Sequence, residues 1–324
     1  MKIAFCCTDT RPEPWLEGLK AELPDAEIAV WQPDAARTPT AAGLPAQPRA
    51  ASSFQADYAV VWAPPQTFID EQTQLKALFN IGAGVDALLK LRLPPSTLVV
   101  RLDDAGMAVQ MAEYVCHAVI RYFRELADYD VAQQEARWAY RKPRRRQQFS
   151  VGVLGLGVLG SRVAQALQQF EFPVNGWSRS PKALPGVRAY TGQEELPAFL
   201  NASQVLVNLL PLTPHTENLL NRQTLSQLPA GGYVINVARG AHLVEEDLLA
   251  LLDSGHLAGA TLDVFRTEPL PPQHPFWKHP RITVTPHTSA RTMRDETIAQ
   301  IAGKIRALRA GQPIAGVVDP QRGY

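Results

Sequence analysis

The chain has 324 residues, of which 46% are hydrophobic and 19% are charged, a composition typical of globular proteins. Its formal net charge of +1 provides no overall field that would attract nucleic acid or an anionic membrane. The three cysteines lack metal-ligand or disulfide-framework spacing, and the apolar run at the start is too short for a signal peptide. We therefore expect a cytoplasmic protein of two domains, with no metal site and no nucleic-acid or membrane partner.

Short, continuous apolar runs alternate with polar, helix-compatible segments along the chain. Such runs predict parallel strands whose two faces are both covered by helices, and hence an α/β fold. The predicted strands are Lys2–Cys6, Glu27–Trp31, Asp57–Trp62, Leu75–Asn80, Thr97–Arg101, Phe149–Leu154, Pro173–Trp177, Val205–Leu210, Tyr233–Ala238, Ala260–Phe265 and Ile282–Thr285. The predicted helices are Leu159–Phe170, Glu194–Phe199, Glu245–Ser254, Asp295–Arg309 and one long helix from Gly106 to Arg137. The stretch 33–48 and the basic run Arg141–Arg146 are predicted to be loops.

A glycine-rich turn follows the predicted strand Phe149–Leu154 and opens the next helix. Its pattern is G-x-G-x-x-G, in which the glycines allow a tight turn, a close approach of pyrophosphate and close packing of helix on strand. Free N–H groups at the start of the helix then bind the anion. We therefore predict a dinucleotide site that comprises Gly155, Leu156, Gly157, Val158, Leu159 and Gly160.

The end of the next predicted strand indicates which dinucleotide binds. NAD-dependent sites place an acid about 20 residues after the glycines, where it accepts hydrogen bonds from the ribose 2′-hydroxyl. This chain has no acid between Glu171 and Glu194, and the strand ends in Ser178, Arg179 and Ser180. A guanidinium can bind a 2′-phosphate bidentately, and the two hydroxyls can donate to it. NADPH is therefore the predicted cofactor and NADH the less favoured one; the alternative is that Arg179 is only an exposed loop residue.

Three segments that follow predicted strands in the second half carry a cation, a carboxylate and an imidazole. They are V-A-R-G with Arg239, D-V-F-R-T-E-P-L with Glu268, and T-P-H-T-S-A with His287. The carboxyl ends of parallel strands meet at one edge of a sheet, where α/β proteins bind ligands. Reduction of a ketone needs such a set, because negative charge develops on the carbonyl oxygen and an imidazolium can supply the proton. We expect Glu268 to keep His287 protonated and Arg239 to hold a substrate carboxylate.

The glycine turn, Pro211-Leu212-Thr213 and the three strand-end segments resemble those of the D-isomer-specific 2-hydroxyacid dehydrogenases, and the resemblance covers nearly the whole chain. Within that family, Gly82–Asp86, Met111–Tyr114 and Trp177–Ser180 are most similar to bacterial enzymes that reduce glyoxylate and hydroxypyruvate. The resemblance implies an NADPH-dependent homodimer that reduces glyoxylate to glycolate and hydroxypyruvate to D-glycerate.

The resemblance also implies the domain organisation and further site residues. It implies two Rossmann-like, doubly wound parallel-sheet domains, one flavodoxin-like and one dinucleotide-binding, with the active site in the cleft between them. The substrate domain would comprise residues 1–102 and 289–324, and the dinucleotide domain residues 103–288. Arg239, Glu268 and His287 match the family's catalytic Arg, Glu and His. Further cofactor contacts would be Leu210, Pro211, Val237, Ala238, Arg239 and Asp263, and substrate contacts Trp62, Ala83, Gly84, Arg239 and His287.

Some residues keep two interpretations. The small residues around Ala83 and Gly84 expose N–H groups that suit a carboxylate, or they form a plain turn; Trp62 walls the substrate pocket or packs in the core. Two other functions are also compatible with the sequence: a broader 2-oxoacid reductase of the phenylpyruvate type, and a non-catalytic dinucleotide-sensing protein. The chemistry does not need the remaining histidines, which are assigned to the surface or to capping: His117, His215, His242, His256, His274 and His279.

Overall fold

The computed structural model describes residues 1–7, 10–32, 54–319 and 322–323, so the predicted loop 33–48 lies outside the described residues. The chain forms two compact units, one of Met1–Gly106 with Thr292–Tyr324 and the other of Met107–Arg291. From the sequence, these boundaries are expected after residues 102 and 288. Each unit is built on a parallel sheet with helices around it, which confirms the predicted α/β class with two doubly wound sheets.

The first unit contains a five-stranded parallel sheet in the order β2-β1-β3-β4-β5, which is the flavodoxin-like order. Its strands are β1 (Lys2–Cys7), β2 (Glu27–Val30), β3 (Tyr58–Trp62), β4 (Ala77–Asn80) and β5 (Leu98–Val100). Its helices, numbered along the whole chain, are α1 (Glu13–Glu22), α2 (Gln66–Glu71) and α9 (Arg294–Arg309). Ile298, Ile301 and Ile305 of α9 share one buried cluster with Ile3 and Phe5 of β1, so the end of the chain completes the core of this unit.

The second unit contains a seven-stranded parallel sheet in the order β12-β11-β10-β9-β6-β7-β8. Its strands are β6 (Val151–Leu154), β7 (Val174–Ser178), β8 (Val187–Thr191), β9 (Val205–Asn208), β10 (Gly232–Asn236), β11 (Leu257–Leu262) and β12 (Ile282–Val284). Its helices are α3 (Met107–Phe123), α4 (Leu126–Gln134), α5 (Val158–Gln169), α6 (Gly192–Asn201), α7 (Arg222–Leu225) and α8 (Glu245–Asp253). The strand order reverses between β6 and β9, and open α/β sheets bind ligands beside the carboxyl ends of their strands at such a point.

The structure corrects the prediction of one continuous helix from Gly106 to Arg137. The segment is divided into α3 and α4, because Glu125 adopts a left-handed conformation (φ 55°) that an α-helix cannot contain. The Glu125 carboxylate accepts hydrogen bonds from Arg141 and Arg144 in the following loop. A second difference is β8, an edge strand with mixed exposure that therefore lacks the continuous apolar run by which the other strands are predicted.

The basic run Arg141–Arg146 lies in a loop that leads into a short 3-10 turn, and Arg141, Arg144 and Arg146 have partners within the second unit. Arg144 lies over the Tyr122 ring at 4.9 Å from the centroid, and Arg146 lies over the Phe172 ring at 4.8 Å. Cation–π contacts of this kind attach the loop to α3 and to the turn after α5. The run therefore has a structural role that the sequence analysis did not assign.

The three cysteines are free thiols. Burial raises the pKa of Cys6 to about 12 and that of Cys116 to about 11, so both thiols stay protonated at neutral pH. None of the helices among the described residues combines the length and the apolar character that a bilayer span requires. Within the same residues, no group of three His, Cys, Asp or Glu side chains is placed to hold a metal ion.

Candidate active site

The predicted site residues of the second unit lie in loops that follow adjacent parallel strands. The loop after β6 with the start of α5, and the end of β7 with the loop after it, carry the predicted pyrophosphate and 2′-phosphate residues, and the loops after β10, β11 and β12 carry Arg239, Glu268 and His287. Because all seven strands are parallel, these loops share the carboxyl edge of the sheet. Four further predicted cofactor residues follow β9 and β10, three of them buried and the last half-buried: Leu210, Val237, Ala238 and Pro211.

The geometry of the glycine turn fits a dinucleotide. Gly155 has φ +97°, a conformation that glycine adopts without strain and that turns the chain sharply after β6. A Cβ on Gly160 would lie 1.8 Å from the Gly155 carbonyl oxygen, so only glycine lets α5 pack this closely. A Cβ on Gly157 would meet nothing within 4 Å, so there is open space beside the N-terminus of α5. The N-cap residue is Gly157, which has no side chain that could cap the helix. A helix N-terminus that faces open space is suited to a pyrophosphate.

The loop after β7 carries the residues predicted to bind a 2′-phosphate. The Ser178 hydroxyl donates to the Ser180 carbonyl oxygen at 2.8 Å, so this serine shapes the turn, and Arg179 between them is exposed. Lys182, which the sequence analysis did not single out, donates to the Leu156 carbonyl oxygen and so joins this loop to the glycine turn. The signal that could have identified it is a second cation only three positions after Arg179.

The loops after β11 and β12 meet in an imidazole–carboxylate pair. His287 Nδ1 lies 2.8 Å from Glu268 Oε2, and Glu268 Oε1 accepts from the backbone N–H of Phe265 at 2.9 Å. The His287 side chain is 46% exposed, so the imidazole is accessible to a ligand. Burial raises the pKa of Glu268, but the hydrogen bonds from His287 and Phe265 and the charges of His287 and Arg239 together hold it below its usual value. Glu268 is therefore ionised at neutral pH and orients the ring.

Asp263 holds the segment that carries His287. Its carboxylate is fully buried; Oδ1 accepts from Thr285 Oγ1 at 2.6 Å and from the Thr288 N–H at 2.9 Å, and Oδ2 accepts from the Ser289 N–H at 2.8 Å. The Asp263 carbonyl also accepts from the His287 N–H at 2.8 Å. His287 has φ +50°, an uncommon conformation outside glycine, and these bonds maintain it. The contacts of Asp263 in the structure are thus with the His287 segment; its contact with a cofactor stays a prediction.

Gly240 brings the Arg239 loop against the Glu268 loop. A Cβ on Gly240 would lie 1.8 Å from the carbonyl carbon of Phe265 and 2.4 Å from the backbone nitrogen of Arg266. Backbone therefore packs on backbone, with no side chain that could move aside. Arg239, directly before this contact, is half-buried. The structure places the predicted cation, carboxylate and imidazole in adjoining loops, and Gly240 is the residue that lets two of these loops touch.

The predicted substrate residues of the first unit follow β3 and β4. Trp62 ends β3, and its indole lies over Gly82, where a Cβ would be 2.5 Å from Cζ3. Asn80 Nδ2 donates to the carbonyl oxygens of Gly82 and Gly84 at 3.0 and 2.8 Å, which fixes the segment that includes Ala83. Because Trp62 is 38% exposed, it is not a core residue, and its role as a wall of the substrate pocket stays a prediction.

The structure corrects the assignment of His242 to the surface or to capping. Its side chain is fully buried, and both ring nitrogens lie within hydrogen-bonding distance of backbone carbonyl oxygens. The apolar neighbours in A-H-L-V were a signal for burial that the sequence analysis did not use. The other five are exposed, half-buried or capping residues: His117, His215, His256, His274 and His279.

The parallel sheet with its glycine turn, and the Arg, Glu and His side chains at the same edge, define the class of protein: an α/β nucleotide-dependent dehydrogenase. A family model described as D-isomer specific 2-hydroxyacid dehydrogenase, NAD binding domain, matches residues 116–289. The chain belongs to the D-isomer specific 2-hydroxyacid dehydrogenase family, which confirms the resemblance seen in its sequence.

One relative and two solved structures are similar to this chain along its full length. Glyoxylate/hydroxypyruvate reductase A of Yersinia enterocolitica is 46% identical over 330 residues, which cover 100% of both chains. A D-isomer specific 2-hydroxyacid dehydrogenase from Xanthobacter autotrophicus, solved in complex with NADPH and MES, has a TM-score of 0.90 and 40% identity over 100% of this chain and 99% of that one. The NADPH-dependent glyoxylate/hydroxypyruvate reductase from Sinorhizobium meliloti, in complex with NADP and sulfate, has a TM-score of 0.88 and 33% identity with the same coverage.

Proposed function

We propose that this protein is an NADPH-dependent reductase of small 2-oxoacids, which converts glyoxylate to glycolate and hydroxypyruvate to D-glycerate. The observation that carries the proposal is the 2.8 Å contact between His287 Nδ1 and Glu268 Oε2, because it leaves Nε2 as the atom that can donate a proton. The full-length similarity to the Y. enterocolitica reductase supports the substrates. The NADPH and NADP complexes of two similar structures support the cofactor.

Each residue of the set has a defined role in the proposed reaction. Arg239 binds the substrate carboxylate and stabilises the charge that develops on the carbonyl oxygen. When bound, reduced nicotinamide supplies the hydride that forms the new C–H bond at the carbonyl carbon. The electron pair of the C=O bond moves to oxygen, which takes a proton from His287 Nε2. Glu268 keeps Nδ1 protonated and stabilises the imidazolium. The same proposal includes substrate contacts from Trp62, Ala83 and Gly84.

The function is tested by following NADPH absorbance with a panel of 2-oxoacids of increasing size, each assayed with both nicotinamide cofactors. We expect the highest kcat/KM for glyoxylate and hydroxypyruvate with NADPH. A maximum at phenylpyruvate would identify a broader-specificity reductase instead. Binding of NADPH without its oxidation by any 2-oxoacid would identify a dinucleotide sensor, and a preference for NADH would contradict the cofactor assignment.

Replacing Arg179 by alanine is expected to raise the KM for NADPH by about 10- to 100-fold, the effect of a charge-assisted contact with a phosphate. The KM for NADH should change by less than about threefold, because NADH has no 2′-phosphate. The control is Arg188→Ala, because Arg188 is an exposed arginine of the neighbouring strand β8 whose guanidinium lies over the Tyr190 ring. This control should leave both KM values unchanged. Equal losses with the two cofactors would show that Arg179 does not bind the 2′-phosphate.

Glu268→Gln is expected to move the alkaline limb of the kcat–pH profile to lower pH, because a neutral amide no longer stabilises the imidazolium. In the wild-type protein, burial raises the pKa of Glu268, but its hydrogen bonds and the neighbouring cations lower the pKa by a larger amount. The carboxylate thus stays ionised at pH values below the usual pKa of a glutamate. Its stabilisation of the imidazolium is lost only as the pH falls through the lowered pKa of Glu268.

The matched control is Glu245→Gln, because Glu245 also faces an imidazole, with its Oε2 3.2 Å from His274 Nε2. That variant should leave the pH profile of kcat unchanged. An unshifted alkaline limb in Glu268→Gln would contradict the role of Glu268.

We also propose that the protein is a cytoplasmic homodimer. Trp138 is 100% exposed and Tyr140 79% exposed, beside a surface depression of about 530 Å³ that Tyr129 and Ala132 also line. Aromatic residues exposed together mark protein interfaces, and free cysteines suit a reducing compartment. Sedimentation equilibrium is expected to give twice the mass of the chain, and a mass equal to that of one chain would contradict the dimer.

A further inference from the structure

The buried residue His242 connects two loops at the carboxyl edge of the second sheet. Its Nδ1 lies 3.1 Å from the carbonyl oxygen of Arg239, and its Nε2 lies 3.2 Å from the carbonyl oxygen of Pro211. We propose that His242 is a positioning residue, which carries its N–H on Nδ1 and thereby holds the carbonyl oxygen of Arg239. This inference rests on the proposed function, because it acts through the arginine assigned to the substrate carboxylate.

The carbonyl oxygen of Arg239 also accepts from a buried pair of amides. Asn236 Nδ2 donates to this oxygen at 3.0 Å, and Asn236 Oδ1 accepts from Asn208 Nδ2 at 3.0 Å. Asn208 Oδ1 in turn accepts from the N–H of Leu210 at 3.2 Å. The amide pair therefore links the loops after β9 and β10 by one route, and His242 links the same two loops by another. Together with the peptide bond between Leu210 and Pro211, these contacts close a ring, in which Asn236 and His242 both hold the Arg239 carbonyl oxygen.

This anchoring matters because Arg239 lies outside regular structure. Its backbone is extended (φ −144°, ψ 144°), between the end of β10 and the 3-10 turn Gly240–His242. Gly240 holds the loop against Phe265 on one side, and His242 holds it to Pro211 on the other. Without the imidazole, the peptide group after Arg239 loses one of its restraints. The guanidinium then loses part of the fixed position on which its contribution to binding and catalysis depends.

The two contacts of the ring can be separated by substitution. A carbonyl oxygen only accepts and a neutral imidazole has one N–H, so only one of the two contacts is a hydrogen bond at a time, and the proposal places that N–H on Nδ1. Asparagine places an amide N–H near the position of Nδ1, and glutamine places one near Nε2. His242→Asn thus preserves the contact with Arg239, and His242→Gln preserves the contact with Pro211. His242→Phe retains most of the volume and makes neither hydrogen bond.

We expect His242→Gln and His242→Phe to raise the KM for glyoxylate by about 3- to 10-fold, the effect of one hydrogen bond, and His242→Asn to leave it within about twofold. The dissociation constant of NADPH, measured by fluorescence titration, should change by less than the KM for glyoxylate in all three variants, because most of the predicted cofactor contacts follow β6 and β7, whereas the ring nitrogens of His242 contact the loops after β9 and β10. A residue that only fills space would give the opposite order, since asparagine leaves the largest cavity. His274→Asn, at a capping histidine outside this ring, should leave the KM unchanged.

The opposite order of KM values, or an unchanged KM in a folded His242→Phe protein, would overturn the proposal. If thermal melting shows that His242→Phe does not fold, the comparison of asparagine with glutamine decides alone. Failure of the proposed function is distinguishable, because the wild-type protein would then bind NADPH without oxidising it in the presence of glyoxylate. In that event we expect the three His242 variants to show the same order in their affinity for oxamate, a 2-oxoacid analogue, measured as its dissociation constant from the NADPH complex. Equal dissociation constants in the three variants would overturn the role of His242.

Discussion

His287→Ala is expected to lower kcat for glyoxylate reduction by about two to four orders of magnitude, the usual contribution of a positioned general acid. The reason is that the ring, held at Nδ1 by Glu268, presents Nε2 as the proton donor. Proton transfer occurs in the transition state, so KM should change much less than kcat. The measurement is steady-state oxidation of NADPH at saturating glyoxylate. A kcat within about threefold of the wild-type value would exclude His287 as the donor.

The chain contains a matched control for this substitution. His274 is also paired with a glutamate, with Nε2 3.2 Å from Glu245 Oε2, but it caps the short 3-10 helix Pro275–Lys278. His274→Ala should therefore leave kcat within about twofold, whatever it costs in thermal stability. A similar loss of kcat in both variants would show that activity follows stability and not proton donation.

Arg239→Ala is expected to lower kcat/KM by about three to five orders of magnitude. Loss of a charged hydrogen-bonding partner weakens binding of the carboxylate by about 10- to 100-fold, and loss of a group that stabilises the developing oxyanion lowers kcat by about 10²- to 10³-fold. Both KM and kcat should therefore change. Arg239→Lys should recover only part of the loss, because an ammonium is a point charge without the planar fork of a guanidinium.

A surface arginine provides the comparison for Arg239. Arg222 lies at the start of α7, and its Nε is 3.6 Å from Asp247 Oδ1 with most of the side chain in solvent. Arg222→Ala should change neither parameter. If Arg239→Ala raises KM while kcat stays at the wild-type value, the guanidinium only binds the carboxylate, and its role at the carbonyl oxygen is wrong.

Much of the fold could be predicted because buried parallel strands are continuous apolar runs. Val205–Asn208 and Val151–Leu154 are fully buried along their length, and both were predicted from that pattern. The edge strand Val187–Thr191 was missed, because one side of it is open and its residues do not form such a run. The break at Glu125 was missed for a different reason. A left-handed residue that is held by two arginines further along the chain has no local signal.

The sequence by itself determined the α/β class, the dinucleotide-type turn and the residue types of the chemical set. These depend on short patterns: a strand followed by G-x-G-x-x-G, the absence of an acid between Glu171 and Glu194, and Arg, Glu or His soon after a strand. Only the tertiary structure decided how these residues are held. Gly240 packs on Phe265, and His242 joins Arg239 to Pro211, because parallel strands distant in the chain end side by side in the sheet. Such contacts arise from strand order and register, and no pattern within one segment of the chain specifies them.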